Sequence, residues 1–296
     1  MNRCPSCNAI SSCPVCGSMV QYFVHAGVRG NESHFTIPLI DQRIDLGSNP
    51  SDIRHYAQPC GHRVVTQPAS PNLAYNGGPL WGNGYSWVNV YWGVFYGTPA
   101  AKAWMTRVDR AVSNIETNQS YSGGLRQYNV GMGKLLNSTV IPTDPGSVIS
   151  NAELSKQLVS WINSGTVTDV GAKGAYNIFL PPGVTVTLSS EASCSVFCDY
   201  HDTADGVNGP FYTVEPYPCS SGCNQCTASE FDTLTMGISE EMTELKTDMD
   251  PGTGWVIGNE ELCDFCDKHF VCNRLTTGEY VNAWYDKSKN ACWTGK

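Results

Sequence analysis

Between positions 229 and 250 the hydrophobic residues recur at the spacing of one helical face. They are Phe231, Leu234, Ile238, Met242 and Leu245. This period predicts an amphipathic helix. Ser229 followed by Asp232 is typical of a helix start, and the Asp-Pro-Gly at 250–252 is typical of a helix end. The pattern therefore predicts one helix of about 15 to 18 residues.

Two further helices and several strands follow from patterns of the same kind. Apolar residues at helical spacing predict a helix over 99–116 and a second one that begins near Ser150 or Asn151 and ends at 163–165. Runs rich in β-branched and aromatic residues predict strands over 88–96, 127–130, 138–141 and 211–214, a strand and turn over 176–186, and shorter strands within 20–39. This alternation predicts an α/β or α+β body in which a mixed sheet packs against helices.

The helix predicted at 229–250 carries carboxylates along one edge of its apolar stripe, with Lys246 on the other side. The carboxylates are Glu240, Glu241, Glu244 and Asp248. Like charges four residues apart, as in Glu240 with Glu244, each cost about 0.2–0.5 kcal/mol in an isolated helix. Two interpretations stay open: a solvated acidic face, or an edge that is compensated by a cation, an arginine or a raised pKa.

Length and composition are those of a globular chain with few charges. The 296 residues are 41% hydrophobic and 15% charged, enough for a sizeable core. A net charge of −9 argues against a nucleic-acid or anionic-membrane surface, because such surfaces need clustered Lys and Arg. No run approaches 18 consecutive apolar residues, so no transmembrane helix is predicted. Met1 leads directly to Cys4 without the apolar segment of a signal peptide, so we expect a mature or rebuilt form of the chain.

The 14 cysteines form local clusters, and this arrangement predicts disulfides made in an oxidising compartment. The predicted disulfide cysteines are Cys4, Cys7, Cys13, Cys16, Cys60, Cys194, Cys198, Cys219, Cys223, Cys226, Cys263, Cys266, Cys272 and Cys292. The first four form two C-x-x-C pairs, for which a zinc site is the alternative, although their spacer is shorter than usual. The last four are expected to form two disulfides that fasten the C-terminal tail.

Three N-glycosylation sequons are consistent with an oxidising, extracellular compartment. They begin at Asn31, Asn118 and Asn137 and predict N-glycosylation. We therefore predict a secreted, extracellular glycoprotein. Its organisation is predicted to be a cysteine-rich N-terminal extension with short strands over 1–70, followed by a main domain over 71–296.

Motifs in the main domain occur together, in the same order, in one known family. They are Ser-Glu-Glu-Met-Thr-Glu at 239–244, Glu-Leu-Cys-Asp-Phe-Cys at 261–266 and Cys-Ser-Val-Phe-Cys-Asp-Tyr-His at 194–201. Over about 73 to 292 the chain resembles the phosphate-induced, EXORDIUM-like family of secreted proteins. The resemblance implies a zincin-like body whose central helix in the family reads Ser-His-Glu-x-x-Glu. Here Glu240 stands at the position of the family's histidine, which removes the best zinc ligand.

The resemblance and the acidic helix together lead to the hypothesis of an acidic metal site. Its candidate ligands are Glu240, Glu244, Asp248, Asp250, Glu261, Asp264 and His201. Oxygen ligands favour a hard divalent cation such as calcium over zinc, and no nucleotide cofactor is expected. The protein is then a non-proteolytic interaction or assembly module that acts on an extracellular matrix or a cell-wall polymer, or through self-assembly.

Two other functions are kept as alternatives. In the first, the chain is a metal-dependent hydrolase in which Glu240, Glu244 and His201 bind the metal and Glu241 activates water as general base. In the second, it is a structural subunit of an extracellular fibre, with the N-terminal cysteines as the contact. For His201 the alternative is a buried, hydrogen-bonded histidine without a ligand role.

Overall fold

A computed structural model describes residues 36–39, 42–45, 71–219, 223, 229–267 and 272–295. The chain divides into two compact units, Met1–Thr66 and Gln67–Lys296. In the first unit β1 (Thr36–Leu39) pairs with β2 (Gln42–Asp45) in antiparallel register. The N-terminal cysteines, Cys60, Asn31 and the strand predicted near 20–24 lie outside the described residues.

The second unit alternates strands and helices. Its helices are α1 (Pro99–Thr117), α2 (Asn151–Asn163), α3 (Glu230–Thr247) and α4 (Leu262–Asp267). Its strands are β3 (Leu73–Tyr75), β4 (Ser86–Trp92), β5 (Lys134–Ile141), β6 (Val148–Ser150), β7 (Gly174–Phe179), β8 (Thr185–Leu188), β9 (Glu191–Ala192), β10 (Tyr200–Thr203), β11 (Phe211–Glu215), β12 (Trp255–Ile257), β13 (Cys272–Arg274), β14 (Tyr280–Asn282), β15 (Tyr285–Asp286) and β16 (Ala291–Cys292). None of the helices within the described ranges is long and apolar enough to cross a membrane.

The centre of this unit is a mixed five-stranded sheet in the order β10-β11-β7-β4-β5. The strands β5, β4, β7 and β11 run parallel, and β10 is the antiparallel edge. Side chains such as Tyr91 and Phe179 face α1 and α3, whereas Val90 and Ile178 face α2. Parallel strands are normally covered on both faces, as they are here. The mixed α/β fold class predicted from the alternation is confirmed.

The three long helices lie where periodicity predicted them. In α3 the Ser229 hydroxyl accepts the amide of Asp232, and the helix extends over 18 residues. The α2 helix begins with a complete capping box between Ser150 and Glu153. These local signals were sufficient because each helix has both a cap and an apolar face.

Two strand predictions are wrong, and local packing explains both. The strand predicted over 88–96 ends at Trp92, because Gly93 takes a φ of +134° and any Cβ there would lie 2.8 Å from Pro181. The region 127–130 is not a strand. It includes the end of a 3-10 helix, Ser122–Tyr128, in which Ser122, Leu125 and Tyr128 are buried at a spacing of three residues.

Three disulfides connect the described cysteines: Cys194 with Cys219, Cys198 with Cys223, and Cys266 with Cys292. The prediction for Cys263 is wrong, because this residue is a buried free thiol. It lies in the same short helix as Cys266, and burial, together with the nearby carboxylates, raises the pKa of its thiol. Cys226 and the side chain of Cys272 lie outside the described residues.

A buried ion pair anchors α3 to α1. The Lys246 side chain is fully buried, and its Nζ lies 3.1 and 3.0 Å from the two carboxylate oxygens of Glu116. Glu116 also accepts hydrogen bonds from Trp87 Nε1, at 3.0 Å, and from the Gly133 amide. The charged partner of Lys246 is therefore on another helix and not among its own neighbours in sequence.

Replacing Lys246 with methionine is expected to lower the free energy of unfolding by about 3–5 kcal/mol, because it leaves a buried carboxylate without its cation. Urea unfolding of the pure protein measures this loss. The matched control is Lys289→Met, since Lys289 is exposed and lies 3.5 Å from Asp286; its loss should stay below about 1 kcal/mol. Equal losses for the two variants would contradict a structural role for the buried pair.

Candidate functional site

Carboxylates from four segments of the chain converge beside α3. We call this set the acidic cluster; its members are Asp199, Glu215, Glu240, Glu241, Glu244, Glu261 and Asp264. Ligand atoms of Glu240, Glu244 and Asp264 lie within 4.8 Å of one another, and Asp199 and Glu215 both approach α3 at Gly237. Within the described part of the chain, His201 is the one basic side chain that forms an ion pair with them. The interpretation of a solvated acidic face is wrong, because Glu241 and Glu244 are only 4% and 2% exposed.

The inner part of the cluster is a buried group of His201, Glu241 and Glu244, whose ligand atoms lie within 4.8 Å of one another. His201 Nε2 lies 3.0 Å from the carbonyl oxygen of Asp248, and His201 Nδ1 lies 3.1 Å from Glu241 Oε2. Because a carbonyl oxygen only accepts, Nε2 carries a proton. His201 thus links the Glu241 carboxylate to the backbone at the end of α3.

The outer part of the cluster is a group of Glu240, Glu244 and Asp264, whose ligand oxygens also lie within 4.8 Å of one another. Its burial is graded: Glu244 is buried, Glu240 is half-buried and Asp264 is exposed. The Oε1 atom of Glu244 accepts the backbone amides of Cys263, at 3.2 Å, and Asp264, at 3.1 Å. The N-terminal residues of α4 thus fix Glu244, while Asp264 leaves the group open to solvent.

A glycine in the middle of α3 lets two more carboxylates approach the helix. A Cβ added at Gly237 would lie 1.9 Å from Asp199 Oδ2 and 3.2 Å from Glu215 Oε2. Glycine in a helix interior costs about 1 kcal/mol relative to alanine. Its presence here is explained by the close approach of Asp199.

Burial and mutual repulsion raise the pKa values of the whole cluster. Burial is the main cause for Glu215, Glu240, Glu241 and Glu244, whose pKa values lie well above the usual range of a glutamate. Burial also raises the pKa of Asp199 to about 6 and that of Glu261 to about 7, the latter in spite of the nearby His201. Burial thus favours the neutral form of these carboxyls over the charged form.

A row of polar side chains crosses the sheet and ends at this site. Ser138 is paired in register with Asn89, Asn89 with Asn177, Asn177 with Thr213, and Thr213 with His201. Asn177 Nδ2 donates to Asn89 Oδ1 at 2.8 Å, and Thr213 Oγ1 lies 3.2 Å from both Asn177 Oδ1 and the Glu215 carboxylate. The row therefore connects the middle of the sheet to the acidic cluster.

The sequence-predicted site residues separate into three sets. Glu240, Glu241, Glu244, Asp264 and His201 come together as described above. Glu261 lies at the border of both groups, with Oε1 at 3.2 Å from His201 Nε2.

Asp248 and Asp250 belong to neither ligand group. Asp248 is fully buried and accepts the amides of Gly252, Thr253 and Gly254 at 2.6–2.9 Å. The structure thus assigns Asp248 to the turn that ends α3. Asp250 contributes its backbone carbonyl to the same turn by accepting from Thr253.

Several residues of the site were missed by sequence reasoning. Asp199 directly precedes β10 and Glu215 is the last residue of β11, so both lie on segments other than α3. A single polar residue inside an otherwise apolar strand was the available signal for Asn89, Asn177 and Thr213. No such signal marked Asp199.

The two described sequons lie at different places. Asn137 is exposed on β5, where its amide donates to Thr168 Oγ1 at 2.8 Å. Asn118 follows the last residue of α1, and its side-chain oxygen accepts the amides of Ser120 and Tyr121. Glycosylation at these two positions stays a prediction.

Comparison with protein-family models, with curated proteins and with solved structures finds no match for this chain.

The stability of the cation-free protein should fall as pH rises. The folded-state pKa values of the cluster are above those of the unfolded chain, so the folded state holds more protons and loses this advantage as pH passes through them. In EDTA we expect the Tm to decrease between pH 5 and pH 8, the window set by about 6 for Asp199 and about 7 for Glu261. The Tm of a unit of this size shifts by about 2–4 °C for each kcal/mol of stability. Thermal unfolding measures the slope, which Asp199→Asn should flatten; a Tm that rises over this window would contradict it.

Gly237→Ala tests the close approach of Asp199 to α3. Helix propensity alone would stabilise the variant by about 1 kcal/mol, but the clash with Asp199 is expected to make it less stable by roughly 1–3 kcal/mol. Chemical unfolding measures the change. In the double variant Gly237→Ala/Asp199→Ala the clash is absent, and stability should recover. A stabilised single variant would show that Asp199 does not pack here.

Proposed function

We propose that this protein is a secreted, EXORDIUM-like protein that binds one hard divalent cation at the outer group of the acidic cluster and acts through its surface as an interaction module. The observation that carries the proposal is the convergence of Glu240, Glu244 and Asp264 within 4.8 Å at a place open to solvent. Three carboxylates in such a group repel one another unless a proton or a cation lies between them. A cation would supply the missing positive charge.

The chemistry of the ligands selects the kind of cation. All three side chains offer oxygen, and calcium takes six to eight oxygen ligands at about 2.3–2.6 Å. Glu240 occupies the position at which the family resemblance expects a histidine, so the nitrogen ligand that zinc prefers is absent from this group. Calcium is therefore favoured, with magnesium or manganese as chemically related ions.

The extracellular setting is supported by covalent structure and composition. The three disulfides need an oxidising compartment. The chain is acidic, with few charges and with sequons at Asn118 and Asn137. A matrix, a cell-wall polymer or a second copy of the chain are the partners that this setting offers.

The test of the cation site is elemental analysis and calcium titration of the purified protein. We expect about one calcium, magnesium or manganese per chain after dialysis against all of them. The variants Glu240→Gln and Glu244→Gln should lose it, because each removes one charged ligand. Calcium should raise the free energy of unfolding of the unmodified protein by RT ln(1 + [L]/Kd), which is about 2.7 kcal/mol at 100 times Kd, and its Tm should increase accordingly.

Asp250→Asn is the control for this experiment, since Asp250 is an acidic residue near the end of α3 but outside both ligand groups. It should bind calcium like the unmodified protein. Failure to bind any of the three ions, or equal binding by the Glu244→Gln variant, would contradict the proposal. Stoichiometric zinc that depends on His201 would contradict it in favour of a nitrogen-containing site.

The hydrolase is kept as a second candidate because of the His201–Glu241 pair. His201 Nδ1 lies 3.1 Å from Glu241 Oε2, and both residues lie next to Glu244, as an orienting histidine, a general base and a metal ligand would. Its burial argues against direct access by a substrate. Hydrolysis that is abolished by chelator and by Glu241→Gln, while calcium binding persists in that variant, would favour the enzyme. Activity that survives both changes would not come from this site.

A further inference from the structure

The strand order of the sheet reverses between β4 and β7, so this is a topological switch point. After β4 the chain continues to β5 on one side, and after β7 it continues to β10 and β11 on the other side. Because β4 and β7 are neighbours, the connections that follow them leave the sheet toward opposite sides. In open α/β sheets, ligands bind in the crevice outside the carboxyl ends of the strands at such a switch point.

A cavity of about 400 Å³ lies at this point. One wall follows β4 and contains Val94 and Phe95, a second follows β5 and contains Asp144, and a third follows β7 and contains Pro181 and Val184. Ligand pockets usually have volumes of about 300–1,000 Å³. The crevice is thus large enough for a small ligand, and it is formed by the three adjacent parallel strands.

The crevice is held open by specific contacts of its own. Asp144 Oδ1 accepts the Val94 amide at 2.9 Å, which fixes the segment after β4 to the segment after β5. Gly93 allows this convergence, because a Cβ there would lie 2.8 Å from Pro181 and 3.4 Å from Asp144 Oδ1. The Asp144–Val94 hydrogen bond and the close approach at Gly93 thus fix the three walls relative to one another.

The lining selects the chemistry of a ligand. None of the lining residues is basic, and Asp144 is the one charged residue among them, so an anionic ligand is disfavoured. Asp144 Oδ2 accepts no hydrogen bond from the described residues, so it is available to hydroxyl donors. Phe95 and Pro181 supply apolar surface. A neutral sugar ring has both features, since one face carries C–H groups and its equatorial hydroxyls donate hydrogen bonds.

We propose that this crevice binds one unit of a neutral saccharide, with Asp144 accepting hydroxyl hydrogen bonds and Phe95 packing against the ring. This inference extends the proposed interaction function by naming the place of binding and the class of ligand. It does not depend on the acidic cluster or on a bound cation.

The experiment is a binding screen on the full chain. The probes are neutral oligosaccharides of glucose, mannose, galactose and xylose, with a uronic-acid oligosaccharide and an oligomeric amino sugar for comparison. Binding is measured by ligand-observed NMR and then by titration calorimetry. The first variant is Asp144→Asn, in which the Asn oxygen can still accept the Val94 amide. Phe95→Leu retains apolar packing but removes the ring.

The matched control is Asp169→Asn. Asp169 is also an exposed aspartate whose Oδ1 accepts a backbone amide, that of Gly171 at 2.7 Å, but it does not line this crevice. We expect one neutral saccharide to bind, with affinity reduced about tenfold or more by Asp144→Asn. Phe95→Leu should also weaken binding, and Asp169→Asn should leave it unchanged.

Three results would overturn the inference. They are no binding of any neutral probe at millimolar concentration, binding that is equal in all the variants, or a preference for the uronic-acid or amino-sugar probe. Calcium binding is measured separately, so a protein that binds calcium but no neutral saccharide would overturn this inference and leave the proposed cation site standing. The reverse result would leave the saccharide site standing without the cation site.

Discussion

The burial of charge on α3 is the constraint on which the rest of the main unit depends. Most of this 18-residue helix is buried, although its sequence contains three glutamates and a lysine in its second half. Moving a charged group from water into a protein interior costs several kcal/mol unless a partner compensates it. The elements around α3 supply such partners. On one side, the carboxylate of Glu116 on α1 pairs with Lys246 and also accepts hydrogen bonds from Trp87 and from the Gly133 amide.

On the other side of α3 the compensation is incomplete without a proton or a cation. The acidic cluster is larger than its single histidine can neutralise, and burial raises the pKa of each glutamate on the helix edge. Protonation of these carboxyls would compensate the charge at low pH, and a divalent cation at the outer group, as proposed above, would compensate it at neutral pH.

The sheet gives the molecule two chemically different regions. The polar row from Ser138 to His201 runs across the face toward α3 and ends at the acidic cluster. The crevice at the carboxyl ends of β4 and β7 is lined by apolar side chains such as Phe95 and Pro181 and by one carboxylate, that of Asp144. Both are consequences of strand order, because neighbouring strands bring together residues that are far apart in sequence. Asn89 and Asn177, for example, are separated by 88 positions and share a hydrogen bond.

The sequence alone determined the helices and the fold class, because caps and hydrophobic period are local properties. It also identified the edge of α3 that carries Glu240, Glu241 and Glu244, since side chains three and four residues apart share a helical face. It did not determine where strand β4 ends. The end of β4 depends on the close approach of Gly93 to Pro181, two residues that are far apart in sequence.

Tertiary structure decided the composition of the site. Asp199 and Glu215 join the acidic cluster only because β10 and β11 place them against Gly237. Asp248 accepts backbone amides of a turn, and Cys263 is buried as a free thiol. Neither outcome is marked by a periodic pattern in the sequence. Burial and pairing depend on what packs against a residue, and packing partners in this chain come mostly from other strands and helices. The sequence could therefore name the helix that carries the acidic chemistry, while only the folded chain shows which groups surround it.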